Sequence, residues 1–253
     1  MEGPKRVAIA GDWHGNTRWA IESIKVAASA LGDEDEKVIV HLGDFGYWPG
    51  EKSGRYYLDT AEEALALFGV QLWFLDGNHE DHHRLSLMAQ QGKPVRIRNH
   101  IFWLPRGTRW TWHDRTWLAL GGAHSIDKAE RTEGIDWFSA EAITRAQADA
   151  AIAGGHADIM LTHDCPASVP LYLPVPGDRS WLAQLPACEA HRELLDEVVR
   201  EVTPSYLMHG HYHMSYDKTV NMSYGLLRAT GLACDTMAGN LLLLNTETMA
   251  WEV

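Results

Sequence analysis

Apolar and polar positions recur along the chain at two periods. Val7-Ala8-Ile9-Ala10 is a short apolar run that stops at Gly11-Asp12, as a buried strand would. Between Asn16 and Leu31 the residues Ile21, Ile24, Ala28 and Leu31 fall on one face of a helix, and Gly32 ends it. Val38-Ile39-Val40-His41-Leu42 is a second strand, again closed by Gly-Asp at Gly43-Asp44. A helix rich in Ala, Glu and Leu over roughly 54–68 then leads to a third strand, Val70 to Leu75, and to Asp76-Gly77-Asn78-His79. Spacings of 32 and 34 residues between Asp12, Asp44 and Asn78 match a strand–helix–strand unit. The three polar strand ends are therefore expected on one edge of one sheet, where open α/β folds build their sites.

Beyond residue 95 the rhythm changes. Ile101-Phe102-Trp103-Leu104, Trp110-Thr111-Trp112 and Thr116 to Leu120 read as aromatic-rich strands, with a turn at Pro105-Arg106-Gly107. A helix over 139–153 precedes a strand at Ile159-Met160-Leu161, which ends at Thr162-His163. After a Pro-rich loop (166–186) and a helix over 187–202, Tyr206-Leu207-Met208 forms a strand ending at His209-Gly210-His211. Short strands follow around 216–230 and 240–252. No repeat or linker divides the chain, so the reading is one domain over 1–253, two packed sheets flanked by helices.

Composition narrows the function classes. A formal net charge of −12 argues against a sequence-indifferent nucleic-acid binder and makes duplex nucleic acid a poor partner. It leaves an anionic substrate open, because bound cations reverse the sign locally. Cys165, Cys188 and Cys234 are odd in number and widely spaced, which offers no disulfide framework and suits a reducing compartment. The apolar run before Gly11 is too short for a signal-peptide core, and no stretch approaches the ~20 apolar residues of a membrane span. The expectation is a cytoplasmic protein without membrane contact.

The histidines, 14 in all, carry the chemistry. Strand ends bear Asp12-x-His14, Gly43-Asp44, Gly77-Asn78-His79, His163 and Gly210-His211-x-His213. Imidazole, carboxylate and amide oxygen without thiolate is a donor set suited to Mn, Fe, Zn or Ni, not to a structural zinc knuckle. Residues i and i+2 of extended chain point the same way, so each x-spaced pair can converge on one metal. The flanking glycines let the backbone turn sharply into the site. The remaining histidines have plainer readings: His41 as a hydrogen-bonded core group, His209 as structural, and His100, His113, His156 and His191 as surface or loop residues.

Taken in order, these blocks resemble the calcineurin-like metallophosphoesterases, and they span Asp12 to His213. The resemblance implies a four-layer α/β/β/α sandwich of two mixed sheets flanked by helices. It implies a metal-dependent phosphoric ester hydrolase with two divalent transition metals, manganese ahead of iron, zinc or nickel. Asp12, His14, Asp44 and His213 would hold the first metal; Asp44, Asn78, His163 and His211 would hold the second, with Asp44 between them. Two such cations generate a bridging hydroxide and clamp the phosphoryl oxygens for in-line attack. His79 and Asp44 are the implied catalytic residues. His79 would face the phosphate as charge stabiliser or acid and would not be a primary ligand.

The family's protein-phosphatase and diadenosine-polyphosphatase branches carry Gly-Asp-x-x-Asp-Arg-Gly in the second block. This chain reads Gly43-Asp44-Phe45-Gly46-Tyr47-Trp48-Pro49, so Tyr47 stands where the Asp that orients the site histidine belongs. Glu80 and Asp81 are the local replacements to consider. The departure moves the reading to the cyclic-nucleotide phosphodiesterase-like branch and small bacterial and phage members, acting on small phosphate-ester or nucleotide substrates. A nuclease for single strands, a phosphomonoesterase or protein phosphatase, and an inactive scaffold are the rivals. Substrate contacts are sought at His124 and Arg131 of the block Gly121–Lys128 and beyond, and at Trp48 and Arg55. Ser125 and Asp127 are equally consistent with shaping a turn, and Asp127–Arg131 with an i,i+4 ion pair. His82, His83, Arg84 and Arg179 are further cations near the site loops, and Trp137 a second stacking surface. Trp103, Trp110, Trp112 and Trp117 belong to sheet packing.

Overall fold

The computed structural model describes residues 3–34, 36–89, 92–172 and 180–252; Arg179 lies outside them. The first half alternates as expected: β1 (Arg6–Ala10), α1 (Thr17–Leu31), β2 (Lys37–His41), α2 (Lys52–Phe68), β3 (Val70–Phe74), then α3 (His82–Met88). Next come β4 (Val95–Arg96), β5 (Ile101–Trp103), β6 (Thr108–Trp112), β7 (Arg115–Leu120), α4 (Arg145–Ala153) and β8 (Ile159–Thr162). The remainder holds α5 (Leu185–Val202), β9 (Tyr206–His209), β10 (Tyr216–Met222), β11 (Gly225–Gly231), β12 (Leu241–Asn245) and β13 (Trp251–Glu252).

Seven strands form one sheet in the order β13-β12-β1-β2-β3-β5-β4, and six form the other in the order β10-β11-β9-β8-β7-β6. β1, β2 and β3 run parallel, while β12 pairs antiparallel with β1, so the first sheet is mixed; β7, β8, β9 and β11 run parallel in the second, with β6 and β10 antiparallel at its edges. Side-chain alternation then sets the layers. Val7, Ile9, Val38 and Val40 pack between the sheets with Trp117, Ala119, Ile159 and Met208. Ala8, Ala10, Ile39 and Leu72 face the other way, against Ile24 and Leu31 of α1 and Leu58 and Leu65 of α2. Leu118, Leu120, Met160 and Leu207 meet Ala148 and Ala151 of α4 and Leu195 and Val199 of α5. The result is the α/β/β/α sandwich. Strands buried on both faces explain the unbroken apolar runs, and each fully buried aliphatic side chain contributes roughly 1.5–3 kcal/mol.

Several expectations need correction. The helix expected over 139–153 is a 3₁₀ turn at Ser139–Glu141 and then α4, which starts where Thr144 and Gln147 form a capping box. α3 was not foreseen, although Asp81 caps it by accepting from the Arg84 N–H. The aromatic strands do pack as sheet residues: Trp110 stacks on Trp117 at 5.8 Å, with Trp73 and Trp112 around them. Cys165, Cys188 and Cys234 are free thiols. Among the described residues no helix is long and apolar enough to cross a membrane.

Candidate metal centre

The C-terminal ends of β1, β2, β3, β8 and β9 open into loops on one edge of the sandwich. There the candidate ligands meet in three groups: Asp12 with His14 and His213, His14 with Asp44 and His79, and Asp44 with His163 and His211. Within each group the nitrogen and oxygen donors lie within 4.8 Å of one another. Asp44 is central. Its Oδ2 is 3.5 Å from His14 Nε2 and 3.4 Å from His163 Nε2, and its Oδ1 accepts the His79 backbone N–H at 2.8 Å. Asp12 Oδ2 is 3.2 Å from His213 Nε2, and both Asp12 oxygens accept the His211 backbone N–H. The extended-chain argument for x-spaced pairs does not hold at Gly210-His211-x-His213, where the two imidazoles go to different groups.

Backbone geometry explains the divergence. His14, Asp44, His211 and His213 all have φ in the left-handed region, at 47°, 54°, 67° and 53°. Such backbone costs roughly 1–3 kcal/mol per residue and persists where the surroundings over-determine it. The glycines make room. A Cβ on Gly43, itself at φ 95°, would stand 2.4 Å from His163 Nδ1, and one on Gly210 would stand 2.2 Å from Asp12 Oδ1.

Two of the rings are held from behind. His163 Nδ1–H donates to the Leu42 carbonyl at 2.7 Å, leaving Nε2 for the centre. His14 Nδ1 faces Asp235 at 3.3 Å, and Asp235 also accepts from Asn16 Nδ2 at 2.6 Å. A carboxylate behind a ligating imidazole fixes its tautomer and orientation. Asn240 ties the Asp12 loop down, accepting from Trp13 and Trp19 and donating to the Asp12 carbonyl. Asp235 and Asn240 escaped the sequence reading. They stand 221 and 228 residues from His14 and Asp12, so no local pattern joins them.

The charges fit a cation site. Burial would lift both carboxyls, but the facing histidines outweigh it: Asp12 lies below its ordinary range and Asp44 well below. Burial opposes charge on His14 and His163 too, yet Asp44 and Asp12 raise them to about 9 and about 10. Desolvation lowers half-buried His211 to about 4. Two buried carboxylates compensated by imidazoles whose Nε2 atoms converge are a donor set that suits divalent transition metals.

His79 is held by other means than expected. Tyr47 is buried, stacks on Phe74 at 6.1 Å and sends its hydroxyl to Met88 Sδ. Glu80 accepts from Gly77 and Gly46 N–H groups, and burial with the Asp44 charge pushes it up to about 8. Neither touches the His79 ring. Arg131 does: its Nη2 is 2.5 Å from Nε2 and 2.8 Å from Nδ1, and Asp127 holds the guanidinium at 2.6 Å. Burial and that guanidinium lower the His79 pKa, with the Asp44 charge opposing them. Trp48 Nε1 donates to the His79 carbonyl at 2.8 Å.

The other substrate candidates lie elsewhere. Half-buried His124 turns to Gln184 at 3.2 Å, and Arg55 donates to the Pro49 and Gly50 carbonyls. His82 is not a cation: burial lowers it to about 4. Arg84 pairs with Asp81, and buried Trp137 lies under Lys128 at 4.0 Å, so it is covered as a stacking surface. His191 is buried rather than a surface residue and bonds Asp164 at 2.6 Å. His209 is buried and bonded to Tyr216, as a structural residue.

A family model described as calcineurin-like phosphoesterase matches residues 5–215. No curated protein matches the chain. Among solved structures, a Thermus thermophilus sulfate thiohydrolase, SoxB, in complex with glycerol is similar at 15% identity and a TM-score of 0.41. That match covers 92% of this chain and 40% of the other, which is much longer.

Proposed function

The chain belongs to the calcineurin-like phosphoesterase family, and from that premise we propose that it is a dinuclear metal-dependent phosphodiesterase acting on small or cyclic nucleotide-like phosphate esters. The observation that carries the reading is Asp44, whose one carboxylate oxygen lies within 3.5 Å of imidazoles on both sides. Asp12, His14, Asp44 and His213 are assigned to one metal, and Asp44, Asn78, His163 and His211 to the other. Manganese is the preferred pair, ahead of iron, zinc or nickel. When bound, two such ions supply Lewis acidity, lowering the pKa of water toward about 7 and offsetting phosphoryl charge.

The chain's own groups do the rest. Asp235 and Leu42 hold His14 and His163 in one tautomer, so that no reorientation accompanies binding. Arg131 and His79 pack together as a wall beside Asp44, in which the guanidinium is the cationic hydrogen-bond donor for a phosphoryl or leaving-group oxygen. Arg131 Nη1 has no hydrogen-bond partner among the described residues, which leaves that donor uncommitted. Trp48 positions the wall through the His79 carbonyl. A small ester suits a molecule of this acidity better than a long polyanion.

With Mn²⁺ added, the protein is expected to hydrolyse bis-p-nitrophenyl phosphate and 2′,3′- or 3′,5′-cyclic nucleotides faster than p-nitrophenyl phosphate. Preference for the monoester would overturn the diesterase assignment and leave the metal reading intact. Cleavage of single-stranded oligonucleotides above all would move it to a nuclease, and no metal bound with no hydrolysis at all would make it a scaffold.

A further inference from the structure

A chain of buried hydrogen bonds runs behind Asn78. Asn78 Nδ2 is 3.0 Å from Ser125 Oγ. Ser125 in turn gives its hydroxyl proton to Glu141 Oε2 at 2.6 Å and its backbone N–H to Glu141 Oε1 at 2.7 Å. Ser125 and Glu141 are completely buried, so water does not offer them other partners. A hydroxyl has one proton. With that proton committed to Glu141, Ser125 Oγ can only accept from Asn78, and the amide must present its NH₂ to Ser125. Its carbonyl Oδ1 is thereby turned toward His163 Nε2, 3.1 Å away, and into the centre.

Glu141 is fixed as well. Arg106 donates to the carbonyls of Ala140, Glu141 and Ala142 at 2.9, 2.7 and 2.7 Å, and its guanidinium is paired with Asp76 at 2.7 Å. Asp76 stands two residues before Asn78, so the contacts close a ring: Asp76, Arg106, Glu141, Ser125, Asn78. An amide is a metal ligand only through its oxygen, and rotating it by half a turn would offer the centre a non-coordinating NH₂. We propose that Ser125 and Glu141 are positioning residues that hold the Asn78 amide with its oxygen toward the second metal. This rests on the reading of Asn78 as a ligand of that metal, and it gives Ser125 a task other than shaping a turn.

The test is calorimetric titration of the chelator-treated full chain with Mn²⁺, which reads affinity without reference to turnover. Two binding events are expected in the wild type. Ser125→Ala is expected to weaken one of them by about 10–100-fold, the scale for loss of a partner behind a ligand, and to leave the other unchanged. Asn78→Ala should weaken the same event, and the double variant should bind no more weakly than Asn78→Ala alone. If Asn78→Ala weakens an event that Ser125→Ala leaves intact, the positioning proposal falls while Asn78 stays a ligand. If Asn78→Ala changes neither event, the ligand reading falls and takes the proposal with it. Equal weakening of both events by Ser125→Ala would point to a general packing role and overturn the proposal. Should Ser125→Ala not fold, Glu141→Gln, nearly isosteric, is expected to weaken the same single event, and an unchanged titration of that variant overturns the proposal.

Discussion

His41 ends β2 with its ring edge-on to Trp13 at 4.7 Å and to Phe45 at 5.3 Å, and among the described residues neither ring nitrogen has a hydrogen-bond partner. Its place inside an apolar strand foretold burial but not this lack of partners. Burial lowers its pKa to about 3, so it sits in the core as a neutral imidazole. A buried polar group left unpaired costs about 1–3 kcal/mol, whereas an apolar ring of similar shape avoids that cost. His41→Phe is therefore expected to raise the unfolding free energy in urea by about 1 kcal/mol; a loss of stability would contradict the unpaired state. The donors of the centre were legible as residue types, because imidazole and carboxylate after successive strands have few other uses. Their supports were not. Asp235 lies 221 residues from His14, and Glu141 lies 16 from Ser125 across a 3₁₀ turn, and no local pattern joins such pairs.

At the scale of elements, the parallel core strands β1 and β2 could be read because both of their faces are buried, which leaves a near-continuous apolar run, whereas β3 alternates with exposed Gln71 and half-buried Trp73. The segment over 139–153 could not, since Ser139–Glu141 imitates the start of a helix that Thr144 actually caps. What holds that segment is Arg106, which also bonds Gln147 Oε1 at 3.1 Å. The Arg106–Asp76 pair is almost wholly buried, with side-chain exposures of 6% and 2%. Breaking such a pair strands a buried charge and costs about 3–5 kcal/mol, which is the loss expected for Arg106→Ala in chemical denaturation at neutral pH. Burial alone would raise the Asp76 pKa, but the Arg106 charge outweighs it and holds the carboxyl below its ordinary value. A depressed carboxyl stabilises the fold above its unfolded pKa, about 3.9, and loses that contribution as pH falls through the folded value. The gap between wild type and variant should therefore narrow below about pH 4. A gap constant down to pH 2 would sink the ion-pair account.

For the whole molecule, two divalent cations would raise a formal charge of −12 by four and concentrate that gain at one sheet edge. Bound only by the folded chain, they also add to its stability by mass action, about 2.7 kcal/mol for a site at 100 times its dissociation constant. Chelator-treated protein is expected to melt at a lower temperature, and Mn²⁺ to restore the melting point with a dose dependence that Mg²⁺ does not match. A melting point indifferent to Mn²⁺ would remove the ions from the folding balance. The contacts that secure the Asp12 loop also set a clock. Asn240 lies 228 residues after Asp12, a stretch that a ribosome making 5–20 residues per second needs about 10–45 s to complete. Through that interval the loop after Asp12 has the Asp44 and Phe45 carbonyls as partners but neither Asp235 nor Asn240. A nascent chain stalled before residue 235 would thus carry every proposed donor and still lack Asp235 behind His14 and Asn240 beneath the Asp12 loop.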